Sequence, residues 1–220
     1  MAYDKIVDSA KLDADLTMVA DAIRARAGTT EPLAFPEGMK EAVEGIPDYM
    51  RQRAMGTIVN YYDPVVTKLA PGCFARCHTI ESIDCPEVTI LENNCLEETT
   101  AITRVNLPKV YKVGNASFYN SGIKTLYLPK CKEIIYSAFG NSQLTSLVLS
   151  FTEQVAHLYS AESFNNSPIS AGTGYIYVPR SLVDSYKSHT NWAPLASQFR
   201  AIEDYTIDGT ATGELDPNKI

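Results

Sequence analysis

The chain has 220 residues, of which 45% are hydrophobic and 20% charged, an ordinary balance for a folded protein with one core or a repeat array. Its formal net charge of −7 lacks the basic surplus that binding a phosphate backbone needs, so nucleic acid is not an expected partner. No stretch approaches the roughly 20 apolar residues of a membrane span, and the N-terminus, Met1 to Asp8, has no basic flank followed by an apolar run. Neither membrane insertion nor a secretory signal is therefore expected, and synthesis in the cytoplasm is.

From the N-terminus, Leu12, Leu16, Val19, Ala20 and Ile23 recur at helical spacing, and Gly28 stands where helices commonly stop. A turn through Thr29 to Pro32 leads to a second helix from about Glu37 to Glu44, opened by Pro36, with Met39, Ala42, Val43 and Ile46 on its apolar side. Two short helices bury little, so residues 1–46 must dock on the rest of the chain, on another copy, or on a larger assembly. The strings Val7-Asp8-Ser9-x-Lys11-Leu12, Ala20-Asp21-Ala22-Ile23 and Leu33-Ala34-Phe35-Pro36-x-Gly38-Met39 resemble an N-terminal module of tail-associated proteins of phages and prophages from Gram-positive gut bacteria. That resemblance implies particle attachment or homo-oligomerisation through residues 1–46. Residues 1–48 are read as this helical module. Residues 49–66, with Tyr49, Tyr61 and Tyr62, are read as a connector that supplies the first strand or an N-terminal cap.

An internal repeat begins next. Its leading residues Phe74, Leu96, Phe118 and Phe139 lie 22, 22 and 21 residues apart, and Phe164 leads a degenerate fifth copy. Five positions before the first four stands a further apolar column, Leu69, Leu91, Val113 and Ile134. Within each copy Ile83/Cys85, Val105/Leu107, Leu126/Leu128, Leu147/Leu149 and Ile176/Val178 alternate with other residues, the period-two signature of a strand with one buried face. The column Ile80, Ile102, Ile123 and Leu144 turns the chain into that strand, and Pro86, Pro108, Pro129 and Pro179 end it. One copy cannot bury these columns alone, so the copies must stack and share a core.

The unit Phe74-x-x-Cys77-x-x-Ile80-x-x-Ile83-x-Cys85-Pro86 closely resembles the BspA-like leucine-rich repeat. So do its relatives ending in Val105-Asn106-Leu107-Pro108, Leu126-Tyr127-Leu128-Pro129 and Leu147-Val148-Leu149-Ser150. The resemblance covers residues 65–203. It departs at Leu96 and Thr99, at Ser150, and in the irregular stretch 151–174, which is read as carrying an inserted loop. It implies a β-rich repeat solenoid with one parallel sheet along one face, and a binding or structural role rather than catalysis.

After Pro179, Leu182, Val183 and Tyr186 form the apolar stripe of a short helix, Asn191 to Phe199 adds a second helical turn, and Arg200 to Ile202 a final strand. This reads as a helical C-terminal cap, so residues 67–203 form the solenoid with its cap and 204–220 a flexible tail. Trp192 is read as packing within the cap in preference to a sugar-stacking platform.

Chemistry is sparse. His78, His157 and His189 fall in separate parts of the chain, no nucleophile elbow or phosphate loop is present, and Cys73-x3-Cys77 lacks the second pair a metal site needs. Cys85 and Cys131 fall in core columns, while Cys73 and Cys95 share a small-residue column with Ser117 and Ala138. No enzyme activity, metal or cofactor is expected. The candidate binding residues are the outward ones of the strands, Asp84, Arg104, Asn106, Tyr127, Tyr175 and Tyr177, lying side by side as one ribbon; strand propensity alone also accounts for tyrosines there. The expected function is recognition of a protein or cell-surface glycan from a phage or prophage tail-like particle, with the protein incorporated into the virion. A bacterial cell-surface adhesin or surface antigen, or an intracellular protein-binding scaffold, is the alternative.

Overall fold

In the computed structural model the described residues are 56–205, together with Thr17, Asp21 and Arg24 upstream. Those three are helical, and Arg24 pairs with Asp21 one turn before it. The chain divides into two units, Met1–Asp48 and Tyr49–Ile220. The expected helix from Glu37 to Glu44, most of the helix before Gly28, and the tail beyond Tyr205 lie outside the described residues.

Each full copy of the repeat contributes a long strand and then a two-residue strand. The long ones are β1 (Asn60–Tyr62), β3 (Ser82–Asp84), β5 (Arg104–Asn106), β7 (Thr125–Tyr127), β9 (Ser146–Val148), β11 (Tyr175–Val178) and β12 (Phe199–Ala201). The short ones are β2 (Lys68–Leu69), β4 (Ile90–Leu91), β6 (Lys112–Val113), β8 (Glu133–Ile134) and β10 (His157–Leu158). Every pairing among them is parallel, and like columns fall in register: Ile83 against Val105, Leu126 against Leu147 and Leu147 against Ile176, and Leu69, Leu91, Val113, Ile134 and Leu158 in succession. Parallel pairing at a repeat-length offset stacks identical columns on one another, which is why the copies can share one core.

The expectation of a single parallel sheet is corrected, since there are three. The short strands form a five-stranded sheet of their own. A two-residue strand shows no alternation, and its one inward residue per copy is all the sequence displays. The long strands divide into β1-β3-β5 and β7-β9-β11-β12. β5 and β7 run side by side, yet no ladder joins them. The split falls where the turn shortens: Phe74 to Ile80 and Leu96 to Ile102 span six residues, whereas Phe118 to Ile123 and Phe139 to Leu144 span five. The missing ladder thus coincides with a turn one residue shorter. At this seam Gly122 N–H still reaches Thr99 O at 3.1 Å, and a Cβ on Gly122 would sit 2.1 Å from Thr100 O. Glycine is required there by close approach of two backbones.

The turns around the leading column need left-handed backbone. Two positions before it, Gly72, Asn94, Ala116 and Ser137 have φ of 61°, 60°, 51° and 54°. Two positions after it, Arg76, Glu98, Asn120, Asn141 and Asn166 lie between 54° and 61°. Asparagine tolerates this region, while Arg76, Glu98, Ala116 and Ser137 hold it against their Cβ atoms. The next position carries hydroxyls that tie the turn down: Thr99, Ser142 and Ser167 donate to Leu96 O, Phe139 O and Phe164 O at 2.7, 2.7 and 2.6 Å.

Inside, the leading rings stack. Phe118 lies 5.7 Å from Phe139, Phe139 5.2 Å from Phe164, and Phe164 5.8 Å from Trp192, all fully buried. The stretch 151–174 is a working copy rather than an inserted loop alone, because it supplies β10 and Phe164. At the C-terminal end, the helix Val183–Ser188 and the residues leading into the 3-10 turn Ala193–Gln198 present side chains to the last short strand and Ala156 before it. Tyr186 Oη accepts from Ala156 N–H at 2.9 Å, Trp192 Nε1–H donates to Ala156 O at 2.7 Å, and Asn191 Nδ2–H donates to Leu158 O at 2.7 Å. These side chains satisfy backbone groups that a further strand would otherwise have paired.

Candidate recognition surface

The outward side chains of β1, β3 and β5 form a polar ladder across three copies. Asn106 Nδ2–H donates to Asp84 Oδ1 at 2.8 Å and Ser82 Oγ–H donates to Asn60 Oδ1 at 2.6 Å, each pair 22 residues apart in sequence. Arg104 and Asn106 are exposed, and Asp84 is half-buried between its neighbours. Tyr62, in register with Asp84, is 39% exposed and extends this surface toward the N-terminus. It was open to detection as the residue 22 before Asp84, but its copy lacks the leading aromatic and the rest of the pattern.

Across the seam the face changes character. Tyr127 is half-buried, Val148 is buried, and Tyr177, a proposed ligand contact from the strand pattern, is fully buried. Its ring meets Tyr205 edge-on at 5.0 Å and Tyr175 at 6.4 Å, and Ile202 completes the cluster. Arg200 lies over the Tyr175 ring at 4.2 Å. Alternation correctly places Tyr177 on the side away from the core; what it misses is that the chain returns over that side in the 3-10 turn Ile202–Asp204. The segment assigned to a flexible tail therefore begins with ordered contacts: Asp204 pairs with Arg180 and Tyr205 meets Tyr177, while Glu203 just before it accepts from Arg180 N–H at 2.9 Å. Its hydrogen bond to the Asp204 carboxylate raises the Arg180 guanidinium above its ordinary value. Of the six candidates, Asp84, Arg104 and Asn106 share one sheet, while Tyr127, Tyr175 and Tyr177 belong to the other.

Beside the short strands, the charged side chains compensate one another, with Lys68 to Glu92 at 3.0 Å and Lys112 to Glu133 at 3.5 Å. Tyr111, Tyr136 and Tyr159 are exposed there, the last two 5.8 Å apart. Turn residues beside two-residue strands give no periodic signal, so sequence reasoning passes over them.

Among the described residues no group of three or more His, Cys, Asp or Glu is placed to hold a metal ion, and no helix is long and apolar enough to cross a membrane. Cys77, Cys85, Cys95 and Cys131 form no disulfide. Burial pushes the Cys85 and Cys131 thiols up to about 12 and raises that of Cys95 as well, so all three stay neutral and pack as small hydrophobes. Trp192 is fully buried against Phe164, Tyr186 and Phe199, out of reach of a sugar.

Residues 61–171 match the family described as "BspA type Leucine rich repeat region", in six copies. The match begins at β1, one copy before the first clear leading aromatic. No curated protein matches the chain.

Proposed function

Because this chain belongs to the BspA-type leucine-rich-repeat family, whose repeats suit protein binding or a structural role rather than catalysis, we propose that it is a non-enzymatic recognition protein of a phage or prophage tail-like particle. In this reading residues 56–205 are a leucine-rich-repeat solenoid, closed at its C-terminal end by the helical segment after Pro179. The polar ladder Asn60, Ser82, Asp84, Arg104 and Asn106, flanked by Tyr62, meets a protein or glycan on the host surface. Residues 1–46 attach the protein to the particle or to further copies of itself, an assignment supported by the resemblance of their sequence to tail-associated proteins.

One observation carries the reading of the surface: outward polar side chains hydrogen-bonded from copy to copy on rigidly paired strands, a pre-ordered array that binding need not organise. The test is binding of the fluorescently labelled full chain to intact Gram-positive gut bacteria. Arg104→Ala with Asn106→Ala is expected to cut binding about tenfold, the loss of roughly 1.4 kcal/mol. Tyr136→Ala with Tyr159→Ala is expected to leave it unchanged, and the reverse pattern would assign binding to the short-strand face. For the attachment end, light scattering is expected to find an oligomer for the full chain and a monomer for residues 49–220. Two monomers would remove that role from residues 1–46.

A further inference from the structure

We propose that Ile202–Tyr205 is a releasable strap that covers the aromatic half of the sheet face and closes it to ligand. The inference rests on the reading of the sheet face as the recognition surface. What lies beneath the strap differs from the open half of the same face. The outward positions on β3 and β5 are Asp84 and Asn106, whereas those on β7, β9 and β11 are Tyr127, Val148 and Tyr177. Val148, Tyr177 and Ile202 form a hydrophobic cluster separate from the main core, bordered by Tyr127, Tyr175 and Tyr205.

The strap itself is held lightly. Its apolar grip consists of Ile202 and the Tyr205 ring. Among the described residues its polar grip is on Arg180, whose N–H donates to the Glu203 carboxylate and whose guanidinium pairs with Asp204. The Arg180 and Asp204 side chains are 59% and 56% exposed, so salt screens the pair. β12 pairs with β11 as far as Ala201 and ends there, so the chain can lift from Ile202 onward without breaking a ladder bond. Segments with few buried contacts and exposed polar ties open well below the free energy of global unfolding.

Nitration of the full chain by tetranitromethane, read at Tyr177 by peptide mass spectrometry in the absence of ligand, tests this separately from the binding function. Tyr177 is expected to be protected at low salt in the native protein. In the variant Glu203→Gln, Asp204→Asn, Tyr205→Ala its rate is expected to rise about tenfold, as loss of an aromatic pair and two charged ties implies, with Tyr186 remaining protected. A rise of roughly threefold is expected for the unaltered chain in about 1 M salt. If Tyr177 is as slow in the variant as in the unaltered chain, or reacts only together with the core residue Tyr186, the strap does not open and the inference falls. Should the triple variant fail to fold, Tyr205→Ala alone and the salt series on the unaltered chain make the same comparison. If the strap opens but the bacterial-binding test fails, the device stands and the proposed ligand class does not.

Discussion

Phe139 is the ring with a stacked partner on both sides, Phe118 at 5.7 Å and Phe164 at 5.2 Å, with interplanar angles of 19° and 27°. Replacing it by leucine removes both ring pairs while keeping an apolar side chain of similar size in the same column. The repeat already accommodates leucine there, since Leu96 occupies that column fully buried. An offset aromatic pair contributes about 0.5–1.5 kcal/mol beyond its buried area. Two pairs therefore put the cost of Phe139→Leu at about 1–3 kcal/mol, below the roughly 3–5 kcal/mol expected when Phe139→Ala also opens a cavity. Urea unfolding followed by circular dichroism reads this directly. With a slope near 2 kcal/mol/M the leucine variant should shift the midpoint down by about 1 M, at unchanged slope. A shift under roughly 0.25 M would mean that stacking contributes nothing beyond apolar fill, and the ring column would then matter only for its volume.

Three further outcomes follow from the backbone and the buried hydroxyl. Gly122→Ala drives a Cβ into Thr100 O and is expected to cost about 3 kcal/mol or more, measured by the same urea assay. Ala116→Gly relieves a left-handed φ of 51° and is expected to stabilise by up to about 1 kcal/mol, seen as a raised thermal midpoint. Desolvation pushes the Tyr186 hydroxyl from an ordinary 10 up to about 12 in the folded chain. The folded state then holds a proton that the unfolded state gives up. The stability tied to this group is thus complete below pH 10 and is lost as pH climbs to about 12, a loss of order 3 kcal/mol. Tyr186→Phe should flatten the fall in urea midpoint between pH 10 and 12, although it strands the Ala156 N–H at every pH.

The long strands and the ring column were legible because repetition displays them several times over. Ile83, Val105, Leu126 and Leu147 agree with one another before any three-dimensional fact is added. The short strands announce themselves through a single residue each, Leu69 to Leu158, too little to identify a second sheet. Asn120, Asn141 and Asn166 hint at a left-handed position, but Arg76 and Glu98 in the same column conceal it. The seam coincides with the change from six-residue to five-residue turns, yet a spacing alone does not say which strands pair. Tyr177 was misjudged for a different reason. Alternation says which side of a sheet a residue faces, and says nothing of what comes back to cover that side; Ile202 and Tyr205 lie outside the repeat that makes the rest readable.

The seam also governs how such an array can lengthen. The block of copies led by Phe74 and Leu96 shares a six-residue turn and the block led by Phe118 and Phe139 a five-residue one. A copy duplicated within its block meets neighbours of matching height and inherits their ladder. A copy carried across brings the other turn length into the block it enters. The closing side chains bond to the backbone of the last short strand and its neighbours Ala156 and Tyr159, and Trp192 packs on Phe164, so this end is built on the last copy. Duplication inside a block, rather than shuffling between blocks, is the route by which this gene can extend its surface without redesigning either end.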